Sequence, residues 1–73
     1  MSDFFTNERV KLSKRGEKTF AHLAGLIGIV LEERRSPLWG HNVIVQFTID
    51  GHWERLYAKS DELLSAEIRK QQS

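Results

Sequence analysis

From Asn42 to Ala58 the chain reads NVIVQFTIDGHWERLYA, two alternating apolar runs that meet at Asp50-Gly51. A two-residue type I′ turn needs positive φ at both central positions, and an Asp-Gly pair between alternating apolar residues is the strongest local signal for one. With Asp50 and Gly51 as the loop, Ile49 faces His52, Phe47 faces Glu54, Val45 faces Leu56 and Val43 faces Ala58, because opposed residues share a face. That face is inward. Ile44, Gln46, Thr48, Trp53, Arg55 and Tyr57 then occupy the other side, half apolar and half polar. A one-residue slip would drive Arg55 inward against Val45, and burying an unpaired guanidinium costs several kcal/mol, so that register is rejected.

A chain of 73 residues supports one small core. There is no cysteine, which excludes disulfide staples, zinc ribbons and thiol catalysis, and a reducing cytoplasm is the expected compartment. No apolar run approaches the roughly 20 residues that span a bilayer, and the first residues lack a signal-peptide pattern, so no membrane partner is expected. Eleven Lys and Arg against ten Asp and Glu give +1, a bulk charge that does not mark a dedicated nucleic-acid binder. The charge is uneven, however. Arg9, Lys11, Lys14, Arg15 and Lys18 stand against Glu17 alone, and five minus one leaves +4 over that stretch. It reads as a phosphate-facing patch or, as the plainer alternative, a solvated helix face.

In chain order, residues 1–7 are expected to be a flexible tail whose Phe4 or Phe5 covers a barrel opening or a neighbouring subunit. Glu8 to Leu12 alternates as an edge strand does, with Val10 and Leu12 on one side. Ser13 offers an N-cap for a helix over Lys14 to Leu23 carrying Phe20 and Leu23, in which Gly16 costs about 1 kcal/mol relative to alanine. Gly25 stops it. Leu26 to Glu33, apolar on both faces, predicts a central strand, with Gly28 marking a bend or a close backbone approach. Arg34 to His41, RRSPLWGH, is expected to be a loop that presents Arg34, Arg35 and Trp39 to a partner, unless Trp39 packs back on the barrel. The tail has two readings. It is either a helix from Asp61 capped by Ser60, or a tight helical turn over Ser60 to Leu63 followed by a strand over Leu64 to Ile68.

Gly25-Leu26-Ile27-Gly28-Ile29-Val30, the arginine-bearing segment after it, Val43-Ile44-Val45 and the Asp50-Gly51 turn resemble a KOW-type motif, which belongs to SH3-like barrels of ribosomal proteins and transcription elongation factors. The segment SDELLSAEI is similar in shape to the end of SH3 domains, where one helical turn leads into the closing strand, and this favours the strand reading. Two features depart from the pattern: the helical insertion over Ser13 to Leu23, and Leu26 where such motifs often carry a basic residue. Short phage and prophage proteins also look similar overall.

The fold expected is therefore mainly β: a single SH3-like (KOW-like) barrel of about five strands over residues 8–68, with one short helix between its first and second strands and a disordered tail over residues 69–73. Its core would hold Val10, Leu12, Val30, Val43, Val45, Phe47, Ile49 and Leu56, with Phe20 and Leu23 docking from the helix. One of the sets Ile27, Ile29, Leu31 or Leu26, Gly28, Val30 must face outward, and a homodimer is one way to cover it.

For function, His22, His41 and His52 are the candidates for catalysis or metal binding, with Asp50 and Asp61 as partners. An extended Asn42 to Ile49 at about 3.3 Å per residue separates His41 from His52 by roughly 26 Å, too far for one metal or one triad. No P-loop, metalloprotease His pair or nucleophile elbow occurs, so neither catalysis nor a cofactor is expected. Two binding surfaces remain. A protein-interaction module, such as a phage-type regulator or inhibitor, would use Arg34, Arg35, Trp39, Ile44, Trp53, Arg55 and Tyr57. A KOW-like RNA, DNA or ribosome binder would use Arg9, Lys11, Lys14, Arg15 and Lys18, the function the resemblance implies.

Overall fold

The computed structural model of the chain describes residues 4–38 and 40–67. Its elements run β1 (Arg9–Leu12), α1 (Lys14–Thr19), a 3-10 turn (Ala21–Leu23), β2 (Gly28–Ser36), β3 (Gly40–Ile49), β4 (His52–Ala58), a second 3-10 turn (Ser60–Glu62) and β5 (Leu63–Ser65). All strand pairs are antiparallel, and the sheet order is β4-β3-β2-β1-β5. The chain is mainly β, five strands and one short helix, as the sequence predicts. The sheet curls around one core, to which every strand contributes: Val10, Leu12, Val30, Val43, Val45, Phe47, Leu56, Ala58 and Leu63, joined by Leu23.

The hairpin has the predicted register at every position. Ile49 pairs with His52, Phe47 with Glu54, Val45 with Leu56 and Val43 with Ala58. Asp50 at φ 49° and Gly51 at φ 81° supply the two left-handed residues that a type I′ turn needs. Because that turn matches the right-handed strand twist, β4 pairs with β3 without irregularity from His52 to Ala58. Ile49 and Phe20 are only partly buried and pack on the core's margin, whereas Ala58 and Leu63, outside the expected core, are fully inside it.

The segment expected to be a loop, Arg34 to His41, is mostly strand. β2 continues to Ser36 and β3 starts at Gly40, with Arg34 paired to Asn42 and Arg35 to His41. Pro37 marks only the turn between them, because proline interrupts a ladder where it sits and not several residues away. A bulge at Leu31, between the pairs Val30–Val45 and Glu32–Ile44, inserts one residue and flips the side-chain phase of β2. Val30 points inward before it, and Glu33, opposite Val43, points inward after it.

The helix is shorter than expected, ending at Thr19 and followed by the 3-10 turn. Ser13 caps it as predicted, its Oγ accepting from the Gly16 N–H at 3.2 Å. The same Oγ donates to the Asp61 carbonyl at 2.7 Å, and the Ser13 N–H donates to the Glu62 carbonyl at 2.9 Å. These bonds hold the helix against the second 3-10 turn. Gly16 lies at that contact, where a Cβ would overlap the Glu62 carbonyl oxygen. Gly28 makes a similar close approach, a Cβ there standing 2.6 Å from Val45 Cγ1 and 2.9 Å from the Phe47 ring.

The tail adopts the turn-and-strand form. Glu62 Oε1 accepts the Lys59 N–H at 2.8 Å, closing the turn, and β5 pairs with β1 through Leu63–Leu12, Leu64–Lys11 and Ser65–Val10. A continuous helix from Asp61 would forgo both this ladder and the burial of Leu63. β5 begins at Leu63, one residue earlier than expected, and ends at Ser65; the predicted end at Ile68 and the expected tail 69–73 lie outside the described residues. At the other end, Asn7 N–H donates to the Val30 carbonyl at 2.7 Å and Phe4 packs against the core. Of the two adjacent aromatics, Phe4 is the one partly buried against the core, while Phe5 is exposed.

Candidate functional site

Alternation along β4 places Trp53, Arg55 and Tyr57 on the outer face of the sheet, and the hairpin register sets Thr48, Gln46 and Ile44 beside them. Trp53 is 60% and Tyr57 57% exposed. Neither ring is covered by Phe4 or Phe5. The Arg55 guanidinium carbon lies 5.1 Å from the centroid of the Trp53 ring, a cation–π contact between neighbours on one face of the strand. Arg55 makes no ion pair with any described residue. Ile44, expected on this surface, has the right orientation but is only 3% exposed, so it offers a partner little surface.

The bulge in β2 separates the two arginines that the sequence groups together. Arg34, opposite Asn42, shares the outer face with Glu32, Ile44 and Tyr57, and its Nη2 lies 3.3 Å from Glu32 Oε2. Arg35, opposite His41, is on the other face of the ribbon. A cleft of about 420 Å³ runs beside Tyr57, lined also by Arg34, Arg35, Ser36, Gly40 and Asn42. Trp39 lies outside the described residues.

The strand part of the basic stretch, Arg9 and Lys11, lies on the same face of the sheet as Arg55 by register. On β1, Arg9 is opposite Ile29, which is opposite Gln46, which is opposite Arg55, so the register links both cations in one row across four strands. The row spans three strand spacings, about 14 Å along the sheet. Lys11 lies on the same face beside Leu64, which is 49% exposed, and the two line a further cleft with Ile27 and Lys14. Arg9 is 3.6 Å from Glu67 and Arg15 3.4 Å from Asp61. Lys11, Lys14 and Lys18 have no ion pair with any described residue.

Two histidines pair with carboxylates instead of with each other. His22 Nε2 is 2.9 Å from Glu54 Oε2, which explains how Glu54 is tolerated opposite Phe47 at the hairpin tip. His41 Nε2 is 2.6 Å from Glu33 Oε2, while Glu33 Oε1 accepts the Phe4 N–H at 2.9 Å. The latter pair is a largely buried clamp that ties the start of the chain to the β2–β3 ribbon. Sequence reading missed it, although three consecutive apolar residues followed by two acids, Ile29 to Glu33, signal the lost alternation that turns Glu33 inward. Among the described residues no group of three or more His, Cys, Asp or Glu could hold a metal ion, and no helix is long and apolar enough to cross a membrane.

No family model, curated protein or solved structure matches the chain.

Proposed function

We propose that the chain is a non-catalytic interaction module that binds a protein partner through the outer face of its sheet, with Trp53 and Tyr57 as anchors and Arg55 between them. The observation that carries this reading is the exposure of both rings on one regular strand, with Arg55 stacked on Trp53. A ring on a paired strand loses little freedom on binding, and of the roughly 150 to 250 Å² that a buried aromatic removes from water about three-fifths is still exposed here. Trp, Tyr and Arg are also the residues enriched among binding hot spots, and together they can supply an anchor, a specific polar contact and a rim. The role of a phage-type regulator or inhibitor, which the sequence resemblance implies, fits such a module.

A second reading is a KOW-like nucleic-acid or ribosome binder, supported by Arg9 and Lys11 lying on the same face as the aromatics. Exposed rings stack on bases as readily as they pack on side chains. Two of the five cations in the basic stretch are already matched by Glu67 and Asp61, which weakens this alternative. Affinity capture from host lysate, with and without nuclease, separates the two. On the protein reading capture survives nuclease and is lost in an Arg55→Ala, Tyr57→Ala double variant that remains folded, its stability within about 1 kcal/mol of the parent. Loss of capture on nuclease treatment would transfer the function to the second reading.

A further inference from the structure

Among the described residues, the backbone of β4 has one edge in use and one edge open. In a hairpin closed by a two-residue turn, the residues flanking the turn exchange both backbone hydrogen bonds, and such pairs recur at every second position. The flanking pair here is Ile49–His52, so His52, Glu54, Leu56 and Ala58 direct their N–H and C=O groups at β3. Those of Trp53, Arg55 and Tyr57 point away from β3, and β4 is the last strand of the sheet on that side. Outside the ladder, none of the three residues has a backbone hydrogen bond to a described residue. The three residues that present side chains on the outer face thus also present open backbone groups at its rim.

Sheets usually protect such an edge with a proline, a bulge, a very short strand or charged side chains. β4 has only the last, in Arg55 and the inward-facing Glu54. It is seven residues long, lacks proline and pairs with β3 without a register shift, whereas the opposite edge, β5, has only three residues. The charge on the outer face of β4 is Arg55 alone, and it has no carboxylate partner among the described residues. The cleft beside Tyr57 adds Arg34, already paired with Glu32, and Arg35. Glu54 points to the other face and is held by His22.

We propose that β4 is a docking strand: an extended acidic segment of a partner protein adds antiparallel to its open edge as a sixth strand of the sheet. The segment exchanges backbone hydrogen bonds with Trp53, Arg55 and Tyr57, sets a carboxylate opposite Arg55, and places apolar side chains two positions to either side, against Trp53 and Tyr57. Backbone pairing of this kind supplies affinity, and the alternate side chains supply specificity. A second copy of this chain is the poorer occupant. Two β4 strands paired about a two-fold axis through Arg55 would set guanidinium opposite guanidinium, and like charges directly opposed destabilise a sheet. The proposal specifies how the protein-binding face of the preceding subsection engages its ligand, and it rests on that reading.

The test uses the full chain, isotope-labelled for amide hydrogen exchange, and as probe a capped seven-residue peptide with glutamate at its centre, valines two positions to either side and threonines elsewhere. The expected result is saturable binding in which exchange at the Trp53, Arg55 and Tyr57 amides slows about tenfold or more, while the Glu54 and Leu56 amides, already in the ladder, do not change. N-methylation of the glutamate or the valines abolishes binding, and N-methylation of the central threonines does not. Arg55→Glu loses the glutamate peptide and gains one with lysine at its centre. Perturbed Trp53 and Tyr57 side-chain signals without amide protection would overturn strand addition and leave the protein-binding reading standing. No binding at millimolar peptide would also overturn it, with the capture experiment then judging the face on its own. Protection of the three amides that rises with protein concentration in the absence of peptide would assign the edge to a second copy instead.

Discussion

Replacing Gly16 with alanine sets helix propensity against packing, and the two predict opposite signs. In an exposed helix interior Gly→Ala stabilises by about 1 kcal/mol. Here the new Cβ would overlap the Glu62 carbonyl oxygen and stand 3.1 Å from the Glu62 carbonyl carbon and from Leu12 Cδ2. A backbone carbonyl cannot rotate aside, so the 3-10 turn Ser60–Glu62 has to move as a unit. That movement breaks the bonds from Ser13 to the Asp61 and Glu62 carbonyls, each worth about 1 kcal/mol. Residual overpacking adds about 1 to 3 kcal/mol. After the propensity gain is subtracted, a loss of about 2 to 4 kcal/mol remains, large against the few kcal/mol that a domain of this size usually has. Urea unfolding followed by circular dichroism and tryptophan fluorescence measures it, with Lys18→Ala, exposed on the same helix, as a control expected within about 0.5 kcal/mol of the parent. A Gly16→Ala variant as stable as the parent, or more so, would refute the reasoning.

Val45, fully buried between Val30 and Leu56, should not tolerate a carboxylate. Val45→Asp costs several kcal/mol and should abolish the cooperative unfolding transition in urea. Glu33→Ala removes the acceptor shared by the Phe4 N–H and His41. The expected outcome is faster proteolytic cleavage before Asn7, together with a stability loss of about 1 to 3 kcal/mol in the same urea assay; unchanged cleavage would show that Phe4 is held by packing alone. Arg55→Ala with Tyr57→Ala, both residues exposed, should shift stability by no more than about 0.5 kcal/mol each while costing about 2 kcal/mol or more of partner affinity.

The hairpin was legible because a single chemical constraint, two left-handed residues at Asp50-Gly51, sets its register, and one rejected alternative would have buried Arg55. The inward set along β3 and β4 followed from that register. The β2–β3 ribbon was harder to read. Pro37 suggested a loop from Arg34 onward, yet Arg34 and Arg35 belong to a ladder that runs to the Ser36–Gly40 pair, and the bulge at Leu31 leaves no mark except broken alternation. The close fit of Gly16 against Glu62 joins residues 46 apart in the chain, and no local pattern carries it. Of the candidate site, the orientation of Trp53, Arg55 and Tyr57 came directly from period-2 alternation. That Ile44 is buried, and that Arg9 and Lys11 share a sheet face with the three, depends on how β1 and β2 are aligned with the hairpin. Alternation within one strand does not encode that alignment.

The central claim is that the outer face around β4 meets a protein. The most direct measurement replaces Tyr57 with the photo-crosslinking residue p-benzoylphenylalanine, irradiates host cells producing the chain, and compares the adducts with those from the same residue at Lys18 on the helix. The account predicts a discrete protein adduct from position 57, resistant to nuclease and absent from position 18. Adducts to nucleic acid at position 57, or a protein adduct formed from position 18 alone, would contradict it.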